Sequence, residues 1–225
     1  MPKLLLCALA LCLSLPIAVN AETLTSGVDV SHDQGSVDWA KVKRAGVDWA
    51  YAKASEGDTL GDQTFATNWP AMKSAGLTRG AYHFYVVGDP PKDQLANFTK
   101  HVTLEPGDLP PMVDVERKQH PQGRTAMIAD LHEFLSLLKA HYGVTPIVYT
   151  EPAFWNANFD GSFSDYPLWV AEYGVRAPRP VTGWTGWTIW QHSESGKVLG
   201  INTPVDLDHF KGTLQDLKKL AVPGG

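Results

Sequence analysis

Strand-like segments alternating with helical ones, a change of that pattern after the fifth strand, and polar residues gathered at the strand ends together predict an α/β fold. The architecture they define is an irregular TIM-like β/α barrel of eight strands, with helices mainly after the first five. Apolar, β-rich runs bounded by turn residues place the strands near 26–30, 47–54, 79–85, 112–116, 146–149, 168–171, 187–191 and 205–208. Helices fill the early gaps. Asp38 can cap a helix over 39–45 that Gly46 closes, a second over 63–75 ends at Gly76, and a third over 91–101 follows Gly88-Asp89-Pro90. The strongest helix covers 124–142, with Ile128, Leu131, Leu135 and Leu138 on one stripe and Gly143 as its stop. Later gaps differ. Pro178, Pro180, Gly183 and Gly186 lie between the sixth and seventh strands, and the gap from Gln191 to Val205 is also glycine-bearing. Neither suits a regular crossover helix, so the last strands should be joined by loops, with antiparallel pairing open to them. A short helix over 213–220 closes the chain.

Residues 1–21 read as a secretory signal peptide: Lys3 is its only charge, a Leu/Ala-rich stretch follows, and Val19-Asn20-Ala21 predicts cleavage after Ala21. Ser14 and Pro16 interrupt the apolar run and no stop-transfer pattern follows, so no membrane span is expected in the mature chain. Leu11 before Cys12 is a poor fit to a lipoprotein cleavage site. The mature protein is expected to be secreted or periplasmic. Both cysteines, Cys7 and Cys12, fall in the leader, which leaves the mature chain without disulfide, thiolate nucleophile or cysteine metal site. Residues 22–225 then form a single barrel domain, long enough to live on its own core.

The formal charge of −5 becomes one unit more negative when Lys3 leaves with the leader. Its longest basic cluster, Lys41-Val42-Lys43-Arg44, fits a solvated helix face, so nucleic acid and anionic membrane are poor partners. The eight histidines are scattered without a His-Glu-x-x-His pattern, and His132 and His141 stand too far apart to act as such a pair. Neither a phosphate-binding glycine loop nor a Gly-x-Ser-x-Gly elbow occurs. No metal and no cofactor is expected. Asn97-Phe98-Thr99 forms a glycosylation sequon.

The chemistry concentrates at strand ends: Asp29, Glu56, the run Tyr82-His83-Phe84-Tyr85, Asp114 with Glu116, Tyr149, Glu172-Tyr173, Trp190-Gln191 and Asp206. In barrels of this kind catalytic groups cluster at that rim, where water also lowers the cost of holding charge. Asp114 and Glu116 are the most informative pair. Residues i and i+2 of a strand share a face, so their Cα atoms lie about 6.5–7 Å apart. Two acids held so close resist joint ionisation, and a protonated carboxyl beside an ionised one can cleave a glycosidic bond.

Taken in order, the motifs resemble the family 25 glycoside hydrolases, the Chalaropsis-type lysozymes, over essentially residues 26–210. They run from Gly27-Val28-Asp29-Val30-Ser31 with Gln34-Gly35, through Ala52-Lys53-Ala54-Ser55-Glu56-Gly57, Ala75-Gly76 and Gly80-Ala81-Tyr82-His83-Phe84, to Gln94-Leu95-Ala96-Asn97-Phe98. Pro111-Met112-Val113-Asp114-Val115-Glu116, Leu168-Trp169-Val170-Ala171-Glu172-Tyr173, Trp190-Gln191 with Gly196 and Gly200-Ile201, and Val205-Asp206-Leu207-Asp208 complete the series. One departure is Asp208, where the family more often has asparagine; the extra acid either disturbs Asp206 or points outward.

The resemblance implies an N-acetylmuramidase acting on peptidoglycan glycan strands at the β-1,4 bond between N-acetylmuramic acid and N-acetylglucosamine. Glu116 would be the general acid, and Asp114 would steady the substrate's 2-acetamido group in a retaining, substrate-assisted route. Asp29 and Asp206 match the family's other two acids and take orienting and electrostatic roles. Tyr82, Tyr85, Tyr149, Trp169 and Trp190 are candidate sugar-stacking rings, whereas Trp184 and Trp187 are packing or loop anchors. Gln191, Glu56 and His83 are candidate hydrogen-bonding groups around the acids. A monomer is expected. Two alternatives stand beside this reading: a chitinase-like N-acetylglucosaminidase, and a non-catalytic peptidoglycan-binding module on the same scaffold.

Overall fold

The computed structural model describes residues 23–116 and 123–224; the expected leader, its predicted cleavage after Ala21 and the two cysteines lie outside the described residues. In chain order the strands are β1 (Leu24–Val30), β2 (Trp49–Glu56), β3 (Leu60–Gly61), β4 (Thr78–Phe84), β5 (Met112–Asp114), β6 (Ile147–Thr150), β7 (Leu168–Ala171), β8 (Ile189–Gly196) and β9 (Val205–Lys211). They form one sheet in the order β1-β9-β8-β7-β6-β5-β4-β2-β3, and pairing of β1 with β2 closes it into a barrel. The two-residue β3 only hairpins back on the end of β2, which leaves an eight-strand wall.

Helices α1 (Trp39–Arg44), α2 (Phe65–Ser74), α3 (Pro91–His101), α4 (Arg124–Tyr142) and α5 (Pro152–Asn158) follow the first five wall strands, and α6 (Leu214–Lys218) follows the last. Their ends obey local chemistry. The Asp38 side chain accepts from Lys41 N–H at the start of α1, Pro91 and Pro152 open α3 and α5, and Gly143 ends α4 in the left-handed conformation at φ 71°. On α4, Met127, Leu131, Phe134, Leu135 and Leu138 face the sheet and are buried, each contributing about 1.5–3 kcal/mol of apolar burial.

The expected irregularity sits at the closure. β9 runs antiparallel to both β8 and β1, whereas the other wall pairs are parallel. The predicted seventh strand stops too early at Gln191: β8 continues to Gly196 and hairpins into β9. So short a link cannot carry a parallel crossover, and the direction reverses. Asp206 therefore reaches the rim from the beginning of its strand rather than from its end.

Side-chain alternation sorts the core into two layers. Trp49, Tyr51, Tyr82, Met112, Ile147, Tyr149, Trp169, Ile189 and Phe210 fill the barrel, while Val28, Val30, Ala50, Ala52, Val113, Val148 and Val170 face the helices. Trp169 meets Trp49 and Tyr51 edge-on, with ring centroids 5.5 and 5.0 Å apart. Gly27 and Gly80 make room for this aromatic filling; a Cβ there would lie 2.2 Å from Trp49 and 2.3 Å from Tyr51.

Candidate active site

Above the aromatic filling the barrel opens into a groove of about 880 Å³. Inward alternation carries Asp29 from β1, Tyr82 from β4, Asp114 and then Glu116 from the β5 edge, Tyr149 from β6, Gln191 from β8 and Asp206 from β9 into its wall. Glu56 also lines it, although strict alternation after Trp49, Tyr51 and Lys53 would aim it outward. A bulge between Lys53 and Ser55 shifts the β2–β4 register and restores the inward aim. A second bulge, between Gln191 and Ser193, does the same for Glu194.

Four predicted site residues do not reach the groove. His83 and Tyr85 flank the inward Phe84 and point to the helical layer, where Tyr85 packs on Phe134 with centroids 5.3 Å apart. Trp190 is the outward neighbour of Gln191; its indole donates to the Glu172 carbonyl at 2.9 Å and its ring lies against Trp187. Trp169 does point inward, but two residues too deep, and is fully buried in the aromatic layer. Tyr82 and Tyr149 line the groove while only 7% and 6% exposed, so neither offers an open ring face to a sugar. Sequence reasoning placed Tyr173 at a strand end without assigning it to the site, and missed Lys53 as a groove residue. Counting two onward from the inward Ala171 and Tyr51 would have found both.

His83 instead holds the bulge. Gln94 accepts the Val86 N–H at 3.0 Å through the same Oε1 that meets His83 Nε2 at 3.0 Å, so His83 must donate from Nε2. Its Nδ1 then accepts the Ser55 hydroxyl at 2.8 Å. Burial keeps this ring neutral by pushing it down to about 4. Asn97 of the sequon is likewise buried and donates to the carbonyls of Gly57 and Leu60 at 2.9 and 3.0 Å, so its amide is already used inside the fold.

The groove is dominated by acids, with the Lys53 ammonium held at 2.6 Å by Glu56. Asp114 and Glu116 stand on one wall, and Asp29 faces Asp206 across the β1–β9 ladder on the other. Burial raises Asp29 to about 6, opposed by the Gln191 amide, which donates to Oδ2 at 2.7 Å, and by hydrogen bonds with Asp208 and Asp206. Burial raises Asp206 further, to about 8, reinforced by the charges of Asp29, Glu194 and Glu116. Asp29 therefore ionises first and Asp206 donates to it. Gln191 is itself oriented, since Tyr149 OH donates to its Oε1 at 2.9 Å and the Tyr173 hydroxyl does so as well. Asp208, predicted either to disturb Asp206 or to point outward, points inward and is buried beneath both. Among the described residues, no three His, Cys, Asp or Glu side chains are arranged to hold a metal ion.

An irregular β/α barrel whose rim opposes an i, i+2 carboxyl pair to a second pair of carboxyls, one protonated at neutral pH, has the equipment of a glycoside hydrolase. Comparison with known proteins makes the class specific. The chain belongs to glycosyl hydrolases family 25, whose sequence profile matches residues 28–201. It is 35% identical to lysozyme M1 of Streptomyces globisporus over 209 residues, covering 87% of this chain and 70% of that protein. N,O-diacetylmuramidase of Chalaropsis sp is 30% identical, with 87% and 98% covered. The crystal structure of a lysozyme from Streptomyces coelicolor superimposes with a TM-score of 0.81 at 33% identity, covering 88% of this chain and 96% of the other.

Proposed function

We propose that this chain is a muramidase that hydrolyses the β-1,4 bond between N-acetylmuramic acid and N-acetylglucosamine in peptidoglycan. The observation that carries it is the opposition of Asp114 and Glu116 to Asp29 and Asp206 across one groove of a family 25 barrel. Glu116, half-buried at the mouth, delivers its proton to the glycosidic oxygen as the bond from that oxygen to the anomeric carbon breaks. The 2-acetamido oxygen of the same sugar attacks that carbon from the opposite face, and Asp114 holds the acetamido N–H and balances its growing positive charge. Water then opens the cyclic intermediate while Glu116, now a carboxylate, takes its proton, so configuration is retained. Protonated Asp206 and ionised Asp29 supply a donor and an acceptor that orient the sugar.

The leader directs the mature chain out of the cytoplasm, to a periplasm or beyond, and the barrel acts as a single-domain monomer. Among the described residues no helix is long and apolar enough to cross a membrane.

Digestion of purified cell walls tests the reading. Muramic acid at the new reducing ends supports it, and glucosamine at those ends assigns the chain to the chitinase-like alternative. Glu116→Gln is expected to lower kcat by about 10²–10⁴-fold, the usual range for a general acid, with wall binding retained. Equal rates for parent and variant would refute the assignment of Glu116, and no digestion by the parent would favour the binding module.

A further inference from the structure

Asp208 is a carboxyl in a place that does not tolerate charge. It is 1% exposed, lies opposite Gly27 on β1 and Gln191 on β8, and its Oδ1 accepts the Trp169 indole N–H at 3.1 Å. Among the described residues no amide, ring N–H or hydroxyl reaches its Oδ2. What it meets instead is the Asp29 carboxyl, its diagonal neighbour across the β1–β9 ladder and near enough to make a hydrogen bond. Two carboxylates cannot share one; a proton must sit between them. Asp29 opens on the groove and already accepts the Gln191 amide, whereas Asp208 has a single indole donor and no water-facing surface. The proton therefore belongs to Asp208.

We propose that Asp208 is a positioning residue that works as a neutral acid, donating its O–H to Asp29 so that this carboxylate keeps its aim at the groove, and that its ionisation sets an alkaline limit on activity. The proposal rests on the hydrolase reading above. Asp29 is then an acceptor gripped by three donors: the Gln191 amide, Asp206 and Asp208. Charge-assisted donors of this kind are short and strong, which suits a group that must not swing.

The surroundings favour the proton. Asp29 from β1 and Asp206 on its own strand are the charged groups that act on Asp208, and both repel its ionised form. β8 contributes the neutral Gln191, and β7 the indole of Trp169. The aromatic layer around Trp169 adds Trp49 and Tyr51, whose hydroxyl is spent on the Pro110 carbonyl at 2.9 Å. The groove's Lys53 is held by Glu56. Burial, joined by those two like charges, pushes the Asp208 carboxyl well above the ordinary carboxylate range.

Two substitutions separate proton from packing. Asp208→Leu keeps the branched shape and removes the donor, and should lose about 10–100-fold in kcat/KM at pH 6, the scale of one charge-assisted hydrogen bond. Asp208→Asn keeps a donor to Asp29 and an acceptor for Trp169 without a titrating proton, and should rescue most of that loss. On the alkaline side, the kcat/KM profile of the parent should fall one proton more steeply than that of Asp208→Asn. Infrared difference spectra of the resting proteins at pH 6 give an arm that needs neither turnover nor the leucine variant to fold: beside the band of protonated Asp206, common to both, the parent should show a further protonated-carboxyl C=O band that Asp208→Asn lacks. No difference in that band, failure of asparagine to rescue a folded leucine variant, or alkaline limbs of equal steepness would each overturn the proposal. An intact band in a parent that digests no wall would instead sink the hydrolase reading and leave the protonation of Asp208 standing.

Discussion

At the scale of single residues, function in this groove depends on keeping neighbouring carboxyls in different states. Asp29 is raised by burial yet ionises below neutral pH because the Gln191 amide and the acid protons of its neighbours hold the charge. Gln191→Leu removes the amide donor and strands Tyr149 and Tyr173 without their shared acceptor. The acid limb of the pH–rate profile should move upward from near 6 and kcat/KM at neutral pH should drop by about tenfold or more, as expected for one lost hydrogen bond to a charge. Measured profiles of parent and variant check this; an unmoved limb would mean that Asp29 is not the group reported by that limb. Tyr85→Phe makes the opposite point, since its ring belongs to the layer beneath α4. It should leave the kinetics of wall digestion unchanged within about twofold, as for a change outside the reacting groove.

Elements aim these residues, and the bulge in β2 shows how. Without the register shift after Lys53, Glu56 would face the helices and Ser55 the groove. The Ser55–His83–Gln94 chain of hydrogen bonds secures the shifted strand from behind. His83→Leu leaves the Ser55 hydroxyl and the Gln94 carbonyl short of a partner, and should cost about 2–4 kcal/mol with a Tm loss of about 5–15 °C. His83 also makes the fold acid-sensitive. Its folded value of about 4 lies below its ordinary 6.5, so its contribution is complete above 6.5 and is lost as pH falls toward 4. Thermal unfolding between pH 7 and 4 should show that slope in the parent and a flatter one in His83→Leu. Much at this scale is legible in the chain. The α4 stripe with its Gly143 stop and the loop-joined final strands are local patterns, and the structure contains both. The groove membership of Asp114, Glu116 and Asp29 follows from motif and alternation. Applied to every strand, the same alternation excludes His83, Tyr85 and Trp190, because each adjoins an inward Tyr82, Phe84 or Gln191.

For the molecule as a whole, closing the barrel brings two buried aspartates, Asp29 and Asp208, and the half-buried Asp206 together from two strands far apart in sequence. Asp29, Asp206 and Asp208 all have folded values above their ordinary 3.8. Their neutral forms are favoured in the fold, so stability they support at low pH is lost as pH rises from about 4 through 6 and 8. Asp206→Asn should therefore raise Tm more at pH 8 than at pH 5, by at least about 2–4 °C, equivalent to ~1 kcal/mol. Scanning calorimetry at the two pH values tests it, and an equal change at both would place the cost of Asp206 elsewhere.

By itself the sequence determined the strand–helix alternation, the helix stops and the shared face of Asp114 and Glu116, because each depends on neighbours a few residues away. It also determined the family, through motifs strung along most of the chain. Only the tertiary structure decided depth and pairing. Trp169 faces inward like a groove residue but lies below the floor, and the bulges that turn Glu56 and Glu194 inward are visible only against a partner strand. Most of all, the antiparallel β9 sets Asp206 opposite Asp29 and buries Asp208 beneath them, and Gln191 reaches Asp29 across 162 residues of chain. The protonation of a carboxyl depends on burial and on charges within a few ångströms, and those neighbours exist only once the barrel has closed.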